Sequence, residues 1–149
     1  MPAYGVVGPS GSGVAPLTAA EVRQGATIST ARIYEIICGL ASAPSDNYLT
    51  WVVQKTTTAG TATSRTPEPL DVDDRAALVT GSITHTAEPT YGGTPFLEIS
   101  MHFRTTFRWV ARHGGEILVK RAATNGVGVK KTVQGTTGAI LDTTIHWFE

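Results

Sequence analysis

The sequence predicts an all-β protein: a two-sheet antiparallel sandwich, jelly-roll-like, with a flexible N-terminal arm. Threonine is abundant, at 23 of 149 residues, and Thr, Val, Ile and aromatic side chains suit a pleated, half-buried surface. Sixteen glycines and eight prolines punctuate the chain as turns require. Helix formers are scarce, with four lysines, three glutamines and two methionines. No fixed-period repeat is present, which argues against a propeller or solenoid.

Taken in order, residues 1–26 form the arm and 27–149 the sandwich. Residues 1–16 are rich in Gly, Pro, Ser and Val and lack periodicity, the composition of a flexible segment. Thr18-Ala-Ala-Glu21 has capping-box spacing and Gly25 supplies a stop, so one or two helical turns are expected at 18–24. In 27–40, Ile33, Glu35 and Ile37 alternate with Tyr34, Ile36, Cys38 and Leu40, a strand covered on both sides. Residues 43–47 form a turn, and in 48–56 Leu49, Trp51 and Val53 alternate with Thr50 and Gln54. The Thr-rich stretch from Thr56 to Thr66 reads as a hairpin turn around Gly60 with a second short strand, ended by Pro67 and Pro69. Asp71 caps a short helical turn, and 78–86 is a strand closed by Glu88-Pro89 and Gly92-Gly93.

The clearest segment is 96–112. Ile99, Met101, Phe103, Phe107, Trp109 and Ala111 share one face, and Glu98, Ser100, His102, Arg104, Thr106 and Arg108 the other. That period of two predicts one long strand with a bulge at Thr105-Thr106. Gly114-Gly115 turns into 116–122, and Asn125-Gly126 signals a type I′ hairpin into 127–133. Gly135 to Gly138 turns again, and in 140–148 Thr143, Ile145 and Trp147 oppose Thr144, His146 and Phe148. About eight strands at short spacing suit a sandwich.

Composition narrows the function. Twelve basic and twelve acidic residues give a formal charge of zero, whereas binding nucleic acid by counterion release favours a basic excess. A hydrophobic fraction of 41% is too high for a disordered chain. No apolar run reaches the roughly 18 residues of a membrane span, and the N-terminal residues have neither the basic region nor the apolar stretch of a signal peptide. Cys38 is the one cysteine, which excludes an intrachain disulfide framework and a multi-cysteine zinc site.

Motifs for catalysis are incomplete. His85, His102, His113 and His146 lack the H-x-H pair common in cupin-type metal sites. Asp71-Val-Asp-Asp74 lacks the glycine and distant glutamate of a calcium loop. No G-x-S-x-G occurs, and Gly8 to Gly13 lacks the Lys-Ser/Thr of a P-loop. Cys38 sits in an apolar strand, where a thiol is inert packing, and nothing fixes Glu98 against Glu116 as a glycosidase pair. No enzyme activity, metal or cofactor is expected. Trp51, Trp109 and Trp147 fall in phase with aliphatic residues and read as core rather than as a sugar platform. Arg104, Arg108, Arg112, Lys120, Arg121, Lys130 and Lys131 form the one positive concentration, either a solvated sheet face or a surface for docking on an acidic protein.

Three stretches carry a resemblance. His85-Thr-Ala-Glu-Pro-Thr-Tyr91 follows the Pro-Leu-Asp-x-x-Asp-x-Ala-Ala run at 69–77. Phe107-Arg-Trp-Val-Ala-Arg-His-Gly-Gly-Glu116 precedes Ala-Thr-Asn-Gly-Val-Gly at 123–128, and Arg32-Ile-Tyr-Glu-Ile-Ile lies upstream. Over residues 30–149 the chain resembles small virion-associated proteins of tailed bacteriophages and related prophages. By analogy of fold, it looks like a capsid decoration or cement protein. The resemblance implies a location on the capsid surface after synthesis in the host cytoplasm, the major capsid protein as partner, and a homo-oligomer, with a trimer favoured. Capsid contact is then expected from the arm, through Tyr4, Val6, Val7, Val14 and Leu17, and from the basic face, through Arg104, Arg108, Lys120 and Arg121. The alternatives are a tail or connector component, a carbohydrate-binding module, and a cupin-like metalloenzyme.

Overall fold

The computed structural model describes residues 1–11, 17–27, 29–41, 46, 48–133 and 140–149. In chain order the strands are β1 (Ala3–Pro9), β2 (Leu17–Arg23), β3 (Ala31–Leu40), β4 (Tyr48–Thr58), β5 (Thr61–Arg65), β6 (Glu68–Pro69) and β7 (Thr80–Ala87). They continue as β8 (Thr90–Tyr91), β9 (Leu97–His102), β10 (Phe107–Val110), β11 (Ile117–Val119), β12 (Gly126–Val133) and β13 (Leu141–Phe148). Sheet I runs β10-β3-β13-β1-β6, with β11 continuing along β3 beyond β10. Sheet II runs β5-β7-β2-β12-β4-β8, with β9 also on β4. Every described ladder is antiparallel.

The strands from β1 to β4 alternate between the sheets, and so do β9 to β13 once β10 and β11 are counted as one position. The four central strands of sheet I, β1-β13-β3-β10, thus face β2-β12-β4-β9 in sheet II. This is the jelly-roll arrangement of two Greek keys. The all-β sandwich expected from composition is present.

The inner faces supply the core. Trp51, Trp147, Tyr4, Ile33, Ile36, Leu141 and Ile145 are all buried. The Tyr4 and Trp147 rings lie 6.0 Å apart in a tilted pair. Their polar tips are satisfied, because Tyr4 Oη donates to Arg75 O at 2.9 Å and Trp147 Nε1 to Glu149 Oε1 at 3.2 Å. The Glu149 carboxylate also accepts from the backbone N–H groups of Leu78 and Val79, each at 2.9 Å, and so fixes the loop before β7. Gln24 makes a buried link from β2 to sheet I: its amide donates to Val119 O at 2.8 Å and accepts from Ser29 N at 3.1 Å.

Several expectations are corrected. The N-terminal segment is not an arm over its described length. β1 pairs with β13 across seven residues, from Ala3↔Phe148 to Pro9↔Asp142, and β2 lies between β7 and β12. The glycines that suggested flexibility are close-approach positions: a Cβ on Gly8 would sit 2.4 Å from Ile83 Cγ2. The helical turn expected at 18–24 is β2, because long-range partners take the capping-box side chains. Thr18 bonds Glu88, and Glu21 bonds Thr56 and Arg23. Residues 12–16, including Val14, lie outside the described residues, as do 42–45, 47 and the turn at 135–138.

The long strand at 96–112 is two strands in different sheets. β9 belongs to sheet II and β10 to sheet I, joined by a turn in which Thr105 N and Oγ1 both donate to His102 O. The alternation persists through the break because both strands face one core. Asn125-Gly126 likewise does not form a hairpin: Asn125 N bonds Ala122 O at 2.8 Å, and the turn carries the chain from β11 in sheet I to β12 in sheet II. At Asp71 the structure has a single turn rather than a helix, closed by Asp73 N to Asp71 Oδ1 at 3.1 Å and Asp74 N to Asp71 O at 3.0 Å.

The Thr-rich stretch after Thr56 does not fold back on β4. The end of β4 pairs with β8, and β5 pairs with β7. Residues 56–65 and 81–91 therefore form a two-stranded ribbon from β4 to β7, passing over the outer side of β12 and β2.

Candidate functional site

The two outer faces of the sandwich differ. On sheet II, the ribbon covers a polar layer. Glu21 and His85 are both buried. Glu21 Oε1 accepts from Thr56 Oγ1 at 2.5 Å and from Arg23 Nη2 at 2.6 Å, and Glu21 Oε2 lies 3.4 Å from His85 Nε2. Burial alone pushes the Glu21 carboxyl up, but its bonds to His85, Thr56 and Arg23 outweigh that and hold it below the usual range. Thr84, at φ 49°, sits in the left-handed region between Ile83, which faces the core, and His85, which turns from the ribbon toward Glu21. Beside this layer Tyr91 Oη meets Thr18 Oγ1, and Lys130 Nζ sits 4.0 Å from the Tyr91 ring centroid. Gly128 admits the tyrosine, since a Cβ there would fall 2.8 Å from Tyr91 Oη.

Ser82 Oγ and Glu21 Oε2 both approach His85 Nε2, each at 3.4 Å, while His85 Nδ1 is buried without a hydrogen-bond partner among the described residues. A nucleophile–base–carboxylate relay needs opposite ring nitrogens for its two partners, so this geometry does not form one.

The outer face of sheet I has no such roof among the described residues. Pairing places three rows across it. Val7, Thr144, Ile37 and Arg108 form the first; Gly5, His146, Glu35 and Val110 the second; Ala3, Phe148, Arg32 and Leu118 the third. Directly paired residues point to the same side of a sheet, so each row is one strip of surface. Val7 and Val110 are half exposed, at 51% and 52%, and Leu118 is 39% exposed. Leu70, 53% exposed, reaches over Gly5 from the edge.

At the centre, Glu35 Oε1 accepts from Arg108 Nε at 2.5 Å and Glu35 Oε2 from His146 Nδ1 at 2.6 Å. The His146 bond and the Arg108 guanidinium hold the Glu35 carboxyl below its usual range against the opposing effect of burial. His146 lies flat over Gly5, where a Cβ would come within 2.8 Å of its Cδ2. Tyr34 is the extra residue of a bulge opposite His146 and Trp147, and its ring stacks on Phe148 at 4.3 Å. The result is a face with apolar side chains around a paired ionic centre.

This face takes in two of the nine sequence-expected contact residues, Val7 and Arg108. Lys120 and Arg121 are exposed just beyond β11. Arg104 is exposed in the turn after β9, where Arg104 Nη2 lies 3.3 Å from Asp46 Oδ1; it does not share a strand with Arg108. Tyr4 and Val6 are wholly buried and Leu17 is partly buried. Tyr4 and Val6 are therefore corrected from surface contacts to core residues, because alternation along β1 turns them inward.

The histidines stand apart in distinct settings, and no group of three or more His, Cys, Asp or Glu side chains poised for a metal occurs among the described residues. Glu98 and Glu116 lie against different sheets. Cys38 is buried on the inner side, and burial pushes its thiol up to about 12. Trp51 and Trp147 are buried and Trp109 packs against the core, so none of the three forms an exposed platform.

Sequence reasoning missed the Glu35–His146–Arg108 and Glu21–His85–Arg23 groups. Their members lie on strands distant in sequence, and only strand register brings them together. Comparison with known proteins gave no match: no family model, no curated protein and no solved structure is significantly similar to the chain.

Proposed function

We propose that this chain is a capsid decoration protein of a tailed bacteriophage that seats on the outer capsid surface through the open face of sheet I. There it bridges neighbouring major capsid subunits and stabilises the head, most simply as a homo-oligomer such as a trimer. The observation that carries the reading is the uncovered face, where Val7, Val110 and Leu118 are exposed around the Arg108–Glu35–His146 centre. Exposed apolar groups gathered on one face mark interaction surfaces, and arginine beside apolar anchors is a common composition for a binding hot spot. The phage assignment rests on the resemblance of residues 32–37, 69–77, 85–91, 107–116 and 123–128 to virion-associated proteins.

The test has two parts. Quantitative mass spectrometry of purified virions should find the chain in a simple high-copy ratio to the major capsid protein. A few copies per particle would instead place it in a tail or connector, and absence would overturn the virion reading. Val7→Asp and Val110→Asp should each lower occupancy on undecorated capsids by about tenfold or more, since each puts an unpaired charge in an apolar contact. Unchanged occupancy would exclude this face as the seat.

A further inference from the structure

A second surface lies on an edge of the sandwich. A cleft of about 390 Å³ opens between β11 of sheet I and the β4–β12 pair of sheet II. Ile117, Val119 and Val127 line it with buried apolar side chains, and Phe96 stands at its rim, 47% exposed. Lys55 and Lys120, both exposed, also line it. The one carboxylate there among the described residues, Glu116, is engaged locally: it accepts from Gly114 N at 3.2 Å, and backbone N–H donors hold its carboxyl below the usual range. β11 forms a ladder with β3 alone, and no described strand pairs along its other edge.

We propose that this cleft binds an extended acidic segment of a partner protein, with one aromatic or aliphatic side chain flanked by carboxylates. An unpaired strand edge is a template for an added strand, whose main chain supplies affinity and whose alternate side chains supply specificity. The apolar side chain packs between Phe96 and Val127. The carboxylates on either side of it meet Lys55 and Lys120. Charge complementarity selects against basic segments more strongly than it raises affinity for acidic ones. The volume is near the lower end of the usual range for ligand sites, roughly 300–1,000 Å³, and suits one side chain with its neighbouring backbone. This inference rests on the edge cleft and holds whether or not the chain is a virion protein.

The test is to pan a random-decapeptide display library on the full chain and measure binding of an enriched, labelled peptide by fluorescence anisotropy. Enriched sequences should carry Asp or Glu on both sides of an aromatic or aliphatic residue. Lys55→Glu combined with Lys120→Glu should weaken binding at least about tenfold at low salt, while Val110→Asp, on the open face, should leave it unchanged. Amide shift mapping on the wild-type chain gives a check that does not depend on any variant folding, with perturbations expected at Ile117, Leu118, Val119, Gly126 and Val127. No enrichment, enrichment of neutral or basic peptides, or shifts centred on Val7 and Val110 would each overturn the proposal.

Discussion

Sheet I turns Val7, Val110 and Arg108 toward solvent, whereas sheet II turns Glu21 into a compartment roofed by the 56–65/81–91 ribbon, from which His85 reaches down to it. Each face is organised around a glutamate that bonds an arginine and a histidine. On sheet I, Arg108 is two-thirds exposed, so the pair is screened by water. On sheet II the Arg23 and Glu21 side chains are almost wholly covered, and removing one partner strands the others in a poorly solvated site. The same residue trio is therefore closed off on one face, whereas on the other its arginine reaches solvent above a buried glutamate. Cover, not residue type, makes the difference.

The sharpest way to break that comparison is Glu21→Ala. It leaves Arg23 and His85 buried without their carboxylate and should lower unfolding free energy by about 3–5 kcal/mol, read by urea denaturation. Glu35→Ala should cost less, about 1–2 kcal/mol, because Arg108 turns to water while His146 stays largely covered. Similar losses for the two would mean that the ribbon does not seal its compartment. Next in size is Gly128→Ala, whose added methyl meets Tyr91 Oη and should cost about 1–3 kcal/mol by overpacking. Full stability at this site would place Tyr91 elsewhere than over β12.

Acid titration sharpens the contrast further. Both glutamates are held below their ordinary range in the folded state, so the stability they add is fully present above the unfolded carboxyl value, about 4.3. It is lost as pH falls through the depressed folded values. Stability measured from pH 7 to pH 3 should therefore fall, and Glu21→Gln and Glu35→Gln should each flatten the curve. An unchanged slope in both variants would sink the assignment of these carboxylates as acid-sensitive groups of the fold. The smallest effect expected is Val110→Asp, within about 0.5 kcal/mol of wild type, because the side chain is already half exposed.

The elements legible from sequence are those where alternation alone decides. β3, β4, β7 and β13 fall within a few residues of their expected spans, and Thr143, Ile145 and Trp147 face inward as their period requires. What alternation does not encode is which sheet a strand joins. The period runs without a break from Ile99 to Trp109 although the chain changes sheets between them. The N-terminal strands were hidden because glycine and proline carry a flexibility signal, while Gly5 and Gly8 serve here to let His146 and Ile83 approach. The candidate face was only partly legible. Val7 and Arg108 were found as single residues, but their common row depends on register through Thr144 and Ile37.

The pairing of β1 with β13 also sets an order of events. Tyr4 lies opposite Trp147, so an early-made strand waits for one that leaves the ribosome more than a hundred residues later. Such distant pairing slows folding, because loop closure must precede its reward. Until β13 arrives, β1 and β3 lack their common neighbour, and sheet I exists only as two separate parts, β1 with β6 and β3 with β10 and β11, whose inner edges are open to pairing with other chains. Sheet II waits in the same way for β12, which joins β2 to β4 but precedes β13 in the chain. The half of the sandwich that bears the open face is thus the last to be completed, and the binding surface matures only when the whole fold does.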